Sequence, residues 1–149
     1  KYSLADIPLP DGVLRIDKVT VPSPTTIRLG HYSLPQIGDK PVTKKMAGTD
    51  AHVISNGEHQ LALVPLAGWD KTLFVQTSGL HPVSKTAGLL MCEKKVAKEN
   101  VMVTLMLWKK GSKAFSGKEL HQVKKVKIAD DHSSVTVTLA DGSVKTVEF

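Results

Sequence analysis

Apolar residues along the chain recur mostly at every second position, in short stretches separated by Gly, Pro, Asn and Asp. That is the period of strands whose alternate side chains meet one core. No stretch holds a sustained helical period. Leu14–Val21 reads as a strand that changes parity near Asp17-Lys18, which predicts a bulge there. Thr25–Leu34 reads as a second strand, interrupted at Gly30. Ala51–Pro65 reads as a hairpin turning at Asn56-Gly57, residue types that favour the positive φ angles of a two-residue turn. Its register sets Ile54 opposite His59 and His52 opposite Leu61, which brings His52 and His59 diagonally together on one face.

Further strands are predicted at Thr72–Thr77, Ala87–Val96, Val101–Lys109, His121–Ile128, Ser133–Leu139 and Val144–Phe149. The run Val101–Trp108 is apolar on both parities except at Thr104, the mark of a central strand covered on two sides, and Trp108 counts with the core. A three-residue loop at Asp141-Gly142 pairs Val137 with Val147 and Val135 with Phe149, gathering apolar side chains on one face. Residues 1–12 read as an extended entry arm ending in a turn at Asp11-Gly12, and residues 35–50 as a long loop. The sum is an all-β fold, an antiparallel β-sandwich of about nine or ten strands, in a single domain over residues 1–149.

Composition narrows the function classes more than the fold. The chain has 149 residues, 41% of them hydrophobic, and no apolar run approaches the length of a membrane-spanning helix. It opens at Lys1 without a methionine or an apolar leader, which points to a processed chain or a piece of a longer protein. One cysteine, Cys92, leaves no disulfide framework; between apolar neighbours it reads as a small buried hydrophobe, and the redox compartment stays open. The net charge of +6 comes from lysine, with Arg15 and Arg28 the only arginines and seven aromatics in all. Nucleic-acid readers rely on arginine forks and stacked aromatics, so nucleic acid is not expected as a partner, whereas an acidic glycan suits a lysine-rich surface.

Candidate chemistry is sparse. There is no phosphate loop, nucleophile elbow or paired-cysteine motif. His52 and His59 could give two ligands to a metal, but no third is placed, so no metal or cofactor is expected. Two turns and one strand break remain. Gly68-Trp69-Asp70 offers a tryptophan that either closes a sheet end or stacks on a sugar ring. Gly79-Leu80-His81-Pro82 forms a second corner. Gly30-His31-Tyr32 joins two acid/base side chains, although strand neighbours point to opposite faces and do not easily serve one substrate.

Thr77-Ser78-Gly79-Leu80-His81-Pro82, followed by an apolar strand, a turn and a second strand through Gly111, resembles a bacterial family that joins an N-terminal α/α-toroid to a C-terminal β-sandwich. That family has a polar-Asn-Leu-His-Pro-Arg-Thr stretch here; Gly79 and Val83 stand in place of its asparagine and arginine. The stretch IDKVTVPSPTTIRLGHYSLP, Ile16–Pro35, is similar to its strand pair before a Gly-Phe-Ala-(Ile/Val)-Pro segment. The resemblance covers about residues 14–111, and the architecture is similar to the sandwich half of heparinase II/III-type polysaccharide lyases. It implies an accessory or half-site module of a carbohydrate-active protein, packed on a helical toroid of the same protein and lining a cleft for an acidic polysaccharide. Catalytic groups would lie in the toroid. This chain would give the substrate-binding residues Trp69, His81, Lys85, Lys71, His31 and Tyr32, with a periplasmic or extracellular setting favoured over the cytoplasm. The alternative is a free-standing glycan- or protein-binding sandwich without catalysis.

Overall fold

A computed structural model describes residues 1–33, 42–46, 50–55, 58–77 and 87–149, with side chains described outside 29–33, 42–44, 73–77 and 87–90. The fold is all-β and antiparallel. Its strands are β1 (Tyr2–Leu9), β2 (Gly12–Thr20), β3 (Thr25–Ser33), β4 (Val42–Lys45), β5 (His52–Ser55), β6 (His59–Ala67), β7 (Lys71–Thr77), β8 (Ala87–Val96), β9 (Glu99–Lys110), β10 (Val123–Ile128), β11 (Ser134–Leu139) and β12 (Val144–Glu148); one helical turn, α1 (Gly117–Leu120), precedes β10. A six-stranded sheet runs β1-β2-β9-β6-β5-β4, and two three-stranded sheets run β3-β8-β7 and β10-β11-β12.

The large sheet is the middle layer. Strand β9 lies at its centre, between β2 and β6. Its odd positions, Val101, Val103, Leu105 and Leu107, are all fully buried. They share one core with Leu14 and Ile16 of β2, Ala62 and Val64 of β6, and Val135 and Val137 of β11. That core joins the β10–β12 sheet to one face of the large sheet. On the opposite face, Ile54, Leu63, Cys92, Leu61, Met106 and Trp69 form a second, smaller cluster, which ties in β8. Burial on both faces is why the β9 sequence lacks alternation.

The same two-sided burial corrects the first predicted bulge. Strand β2 pairs residue by residue with β9 from Gly12↔Leu107 to Thr20↔Glu99, with no shift at Asp17-Lys18. Leu14 and Ile16 serve one core while Val19 is buried on the other parity, so the change of apolar parity needs no inserted residue. Strand β3 likewise pairs with β8 straight through Gly30↔Met91. Residues 2–9 are not a free arm but an edge strand, paired with β2 across a turn at Pro10-Asp11. Part of the expected 35–50 loop is β4, which pairs with β5 from Val42↔Ser55 to Lys45↔His52. With β1 and β4 added, the strands number twelve among the described residues.

Two hairpin registers also differ from expectation. In β5–β6, Ser55 pairs with Gln60 and His52 with Leu63. His59 therefore stands four residues along β6 from Leu63, the partner of His52, and not on its diagonal; Asn56 and Gly57 themselves lie outside the described residues. In β11–β12, Val135 pairs with Val147 and Val137 with Lys145. The three-residue loop is Ala140-Asp141-Gly142, closed by Leu139 N–H on Ser143 O at 2.9 Å and Gly142 N–H on Leu139 O at 3.0 Å. Asp141 accepts from the Ser143 amide (2.8 Å) and hydroxyl (2.7 Å). Gly142, at φ 89°, supplies the left-handed residue that such loops require. The turn chemistry thus sets the register, and Phe149 meets Ser133, whose carbonyl accepts its amide at 2.9 Å, rather than Val135.

Candidate functional site

The site begins at a notch in the large sheet. Strand β5 ends against β6 at His52↔Leu63, and among the described residues β6 then continues alone on that side through Pro65, whose missing amide costs no ladder bond there. The pairing of β6 with β9 shifts between Pro65↔Thr104 and Ala67↔Val103, a bulge at Leu66. The chain next turns at Gly68, with φ 77°. A Cβ at Gly68 would sit 2.0 Å from the Val101 carbonyl oxygen, so only glycine allows the turn to press on β9. Asn100 Nδ2 holds it there by donating to the Gly68 carbonyl at 3.2 Å.

That turn folds Trp69 back over the sheet. Its Nε1 donates to Thr104 Oγ1 at 2.8 Å, and its ring packs on the second cluster. Thr104, the one polar residue in the middle of β9, is fully buried and is explained by this bond. Trp69 is therefore a lid on the sheet whose remaining surface lines a cavity of about 400 Å³, shared with Lys45, Asp50, His52, Pro65, Leu66, Ala67, Asp70, Lys71 and Thr72. Cavities of this size are in the range of small-ligand sites.

Charge around the cavity is mixed and organised. Lys45 faces Asp50 at 3.5 Å, with both side chains well exposed. Lys71 reaches Glu93 at 3.0 Å, and Arg28 reaches the other Glu93 oxygen at 2.9 Å. The register places Arg28, Glu93 and Lys71 side by side across β3, β8 and β7. Donation from Lys71 and then Arg28 lowers the Glu93 carboxyl below its usual range. Asp70 accepts from Lys94 Nζ at 2.7 Å and the Lys95 amide at 2.8 Å, and these bonds depress its carboxyl. His52 is shifted down, chiefly by partial burial and then by nearby Lys45, against the pull of Asp50. Its imidazole is neutral near pH 7, able to donate or accept one hydrogen bond.

Of the residues expected to bind substrate, Trp69 and Lys71 come together in this cavity. His31 and Tyr32 are consecutive positions of β3, paired with Leu90 and Leu89; their side chains, like His81 and Lys85, lie outside the described residues. Sequence reasoning missed Lys45 and Asp50, because the expected loop hid β4, and it weighed His52 only together with His59. Trp108, expected in the core, is 50% exposed. Cys92 is buried, and that burial raises its thiol to about 11, so it is no nucleophile. Among the described residues, no three His, Cys, Asp or Glu side chains are grouped to hold a metal, and no helix is long and apolar enough to cross a membrane. Compared with known proteins, the chain matches no family model and no curated protein.

Proposed function

We propose that this chain is an accessory β-sandwich module of a carbohydrate-active protein, related to polysaccharide lyases, that holds an acidic glycan at the Trp69 cleft beside a helical toroid domain of the same protein. The observation that carries this reading is the meeting, in one cavity of about 400 Å³, of a partly open tryptophan, an apolar floor at Pro65 and Leu66, and two lysines, Lys45 and Lys71. A sugar offers an apolar ring face to an aromatic ring and hydroxyls to groups such as neutral His52. Lys45 and Lys71 are paired with Asp50 and Glu93, but both stay more than half exposed, so each would keep N–H groups free to share with a uronate carboxylate. On this reading the module's part is to bind and position, and catalytic groups would lie in the toroid.

The test is binding of oligogalacturonate and neutral cello-oligosaccharide by isothermal titration, using Lys45→Gln and Lys71→Gln. Glu93 keeps Arg28 when Lys71 is removed, so the fold should tolerate the change. Each substitution is expected to weaken oligogalacturonate binding about threefold to tenfold and to leave the neutral sugar unaffected. Equal affinity for wild type and both variants would overturn the reading.

A further inference from the structure

We propose that the outer face of the β10–β12 sheet is a second, separate docking surface, for an anionic polysaccharide chain. It lies on the other side of the large sheet from the cleft and does not depend on the cleft's function. The argument starts from the sequence Val123-Lys-Lys-Val-Lys-Ile128. An unbroken strand would place Lys124 and Lys125 on opposite faces. The pairing of β10 with β11 instead shifts between Val123↔Leu139 and Lys125↔Thr138, a bulge at Lys124. Val123, Val126 and Ile128 all pack on the main core. Both residues between Val123 and Val126 must then face outward, and Lys124, Lys125 and Lys127 are all exposed. The bulge thus gathers three lysines on one solvent face, the kind of re-aiming for which bulges are kept.

What surrounds those lysines suits a polyanion. Lys125 pairs with Thr138, and Lys127 with Thr136; these continue to Val144 and Thr146 of β12. The face therefore sets rows of ammonium groups beside hydroxyls, and Thr136 and Thr146 oxygens lie 3.3 Å apart. Lys18, Lys45, Lys71, Lys94 and Lys109 are each bound to a carboxylate. Lys124, Lys125 and Lys127 have no ion pair among the described residues. Asp141, near Lys124, is engaged by Ser143, and Glu148, opposite Ser134, bounds the face one row beyond Lys127. The partner is a glycan rather than a nucleic acid because the readers of phosphate and base are missing here: Arg15 and Arg28 are tied to Asp17 and Glu93 in other sheets, and β10–β12 carries no aromatic ring.

The experiment measures binding of the intact chain to polygalacturonate, dextran sulfate and uncharged dextran over about 50–300 mM salt, with single-stranded DNA and anionic phospholipid vesicles as competitors. Two triple variants lose the same charge: Lys124→Gln/Lys125→Gln/Lys127→Gln on this face, and Lys95→Gln/Lys98→Gln/Lys110→Gln away from it. Binding to at least one polyanion, salt-sensitive and absent for dextran, is expected to fall about tenfold in the first variant and to change less than about twofold in the second. The proposal is overturned by no polyanion binding, by equal losses in the two variants, or by tighter binding to DNA or vesicles.

Discussion

Thr104 shows how much one hydroxyl can explain. In a strand otherwise apolar on both parities it is a puzzle; in the fold it is the acceptor that fixes Trp69. Thr104→Val keeps the shape but leaves the indole N–H without that partner. We expect a loss of about 1–2 kcal/mol in urea unfolding, and less than additive losses when it is combined with Trp69→Phe, because the two side chains share one bond. Gly68 offers a sharper contrast. Gly68→Ala adds a Cβ 2.0 Å from the Val101 oxygen at φ 77°, whereas Gly142→Ala, at φ 89°, meets nothing within 4 Å. The first should cost about 3 kcal/mol or more, and the second only the left-handed strain of about 1–2 kcal/mol. Equal losses would mean that the Trp69 turn does not press on β9.

Among the elements of the described residues, α1 is the one helical turn, and it rests on its cap. Ser116 accepts from the Glu119 amide at 3.2 Å, while Glu119 accepts from the Ser116 amide at 2.6 Å and from Lys109 at 3.0 Å. This reciprocal box, with Phe115 and Leu120 buried on either side, plugs the end of the main core. The same bonds, those from Ser116 first, lower the Glu119 carboxyl from about 4.5 to about 2. Because the folded value is the depressed one, the stabilisation is complete above about pH 4.5 and is lost as pH falls toward 2. Glu119→Gln should therefore lower the thermal midpoint at pH 7, with the gap to wild type closing across that window. A gap unchanged between pH 7 and pH 2 would assign the effect to packing. The sequence pattern showed no helix here, because four residues are too few to show a helical period.

At the scale of the molecule, the arrangement is two small sheets on opposite faces of one large sheet. The β10–β12 sheet is held to the large one by Val135 and Val137, both fully buried against the β9 row. A polar clasp adds to this: Lys18 donates to the His132 carbonyl at 2.7 Å, and Glu99 lies 3.5 Å from Lys18 and 3.6 Å from His132. If these layers share one core, Leu105→Ala should cost about 2–5 kcal/mol and Val137→Ala about 2 kcal/mol. Both should keep coincident fluorescence and circular-dichroism transitions. Separate transitions in Val137→Ala would show that the small sheet melts by itself.

The sequence by itself determined the all-β class, the position of most strands, the two-sided burial of β9 and the turn that carries Trp69. These depend on local period and turn chemistry, which neighbouring residues fix among themselves. Only the tertiary structure decided what the strands pair with. An edge strand such as β1 shows a blurred pattern, because small Ser3 and Ala5 stand in its inward row while the large apolar Tyr2 and Leu4 lie exposed. A strand between two cores reads as a parity slip, as β2 does. The register of β5 on β6 brought His52 and Lys45 to the Trp69 cleft, and the bulge at Lys124 turned a lysine-rich strand into a lysine face. Both depend on which residue stands opposite which, a relation between distant parts of the chain that no local pattern records.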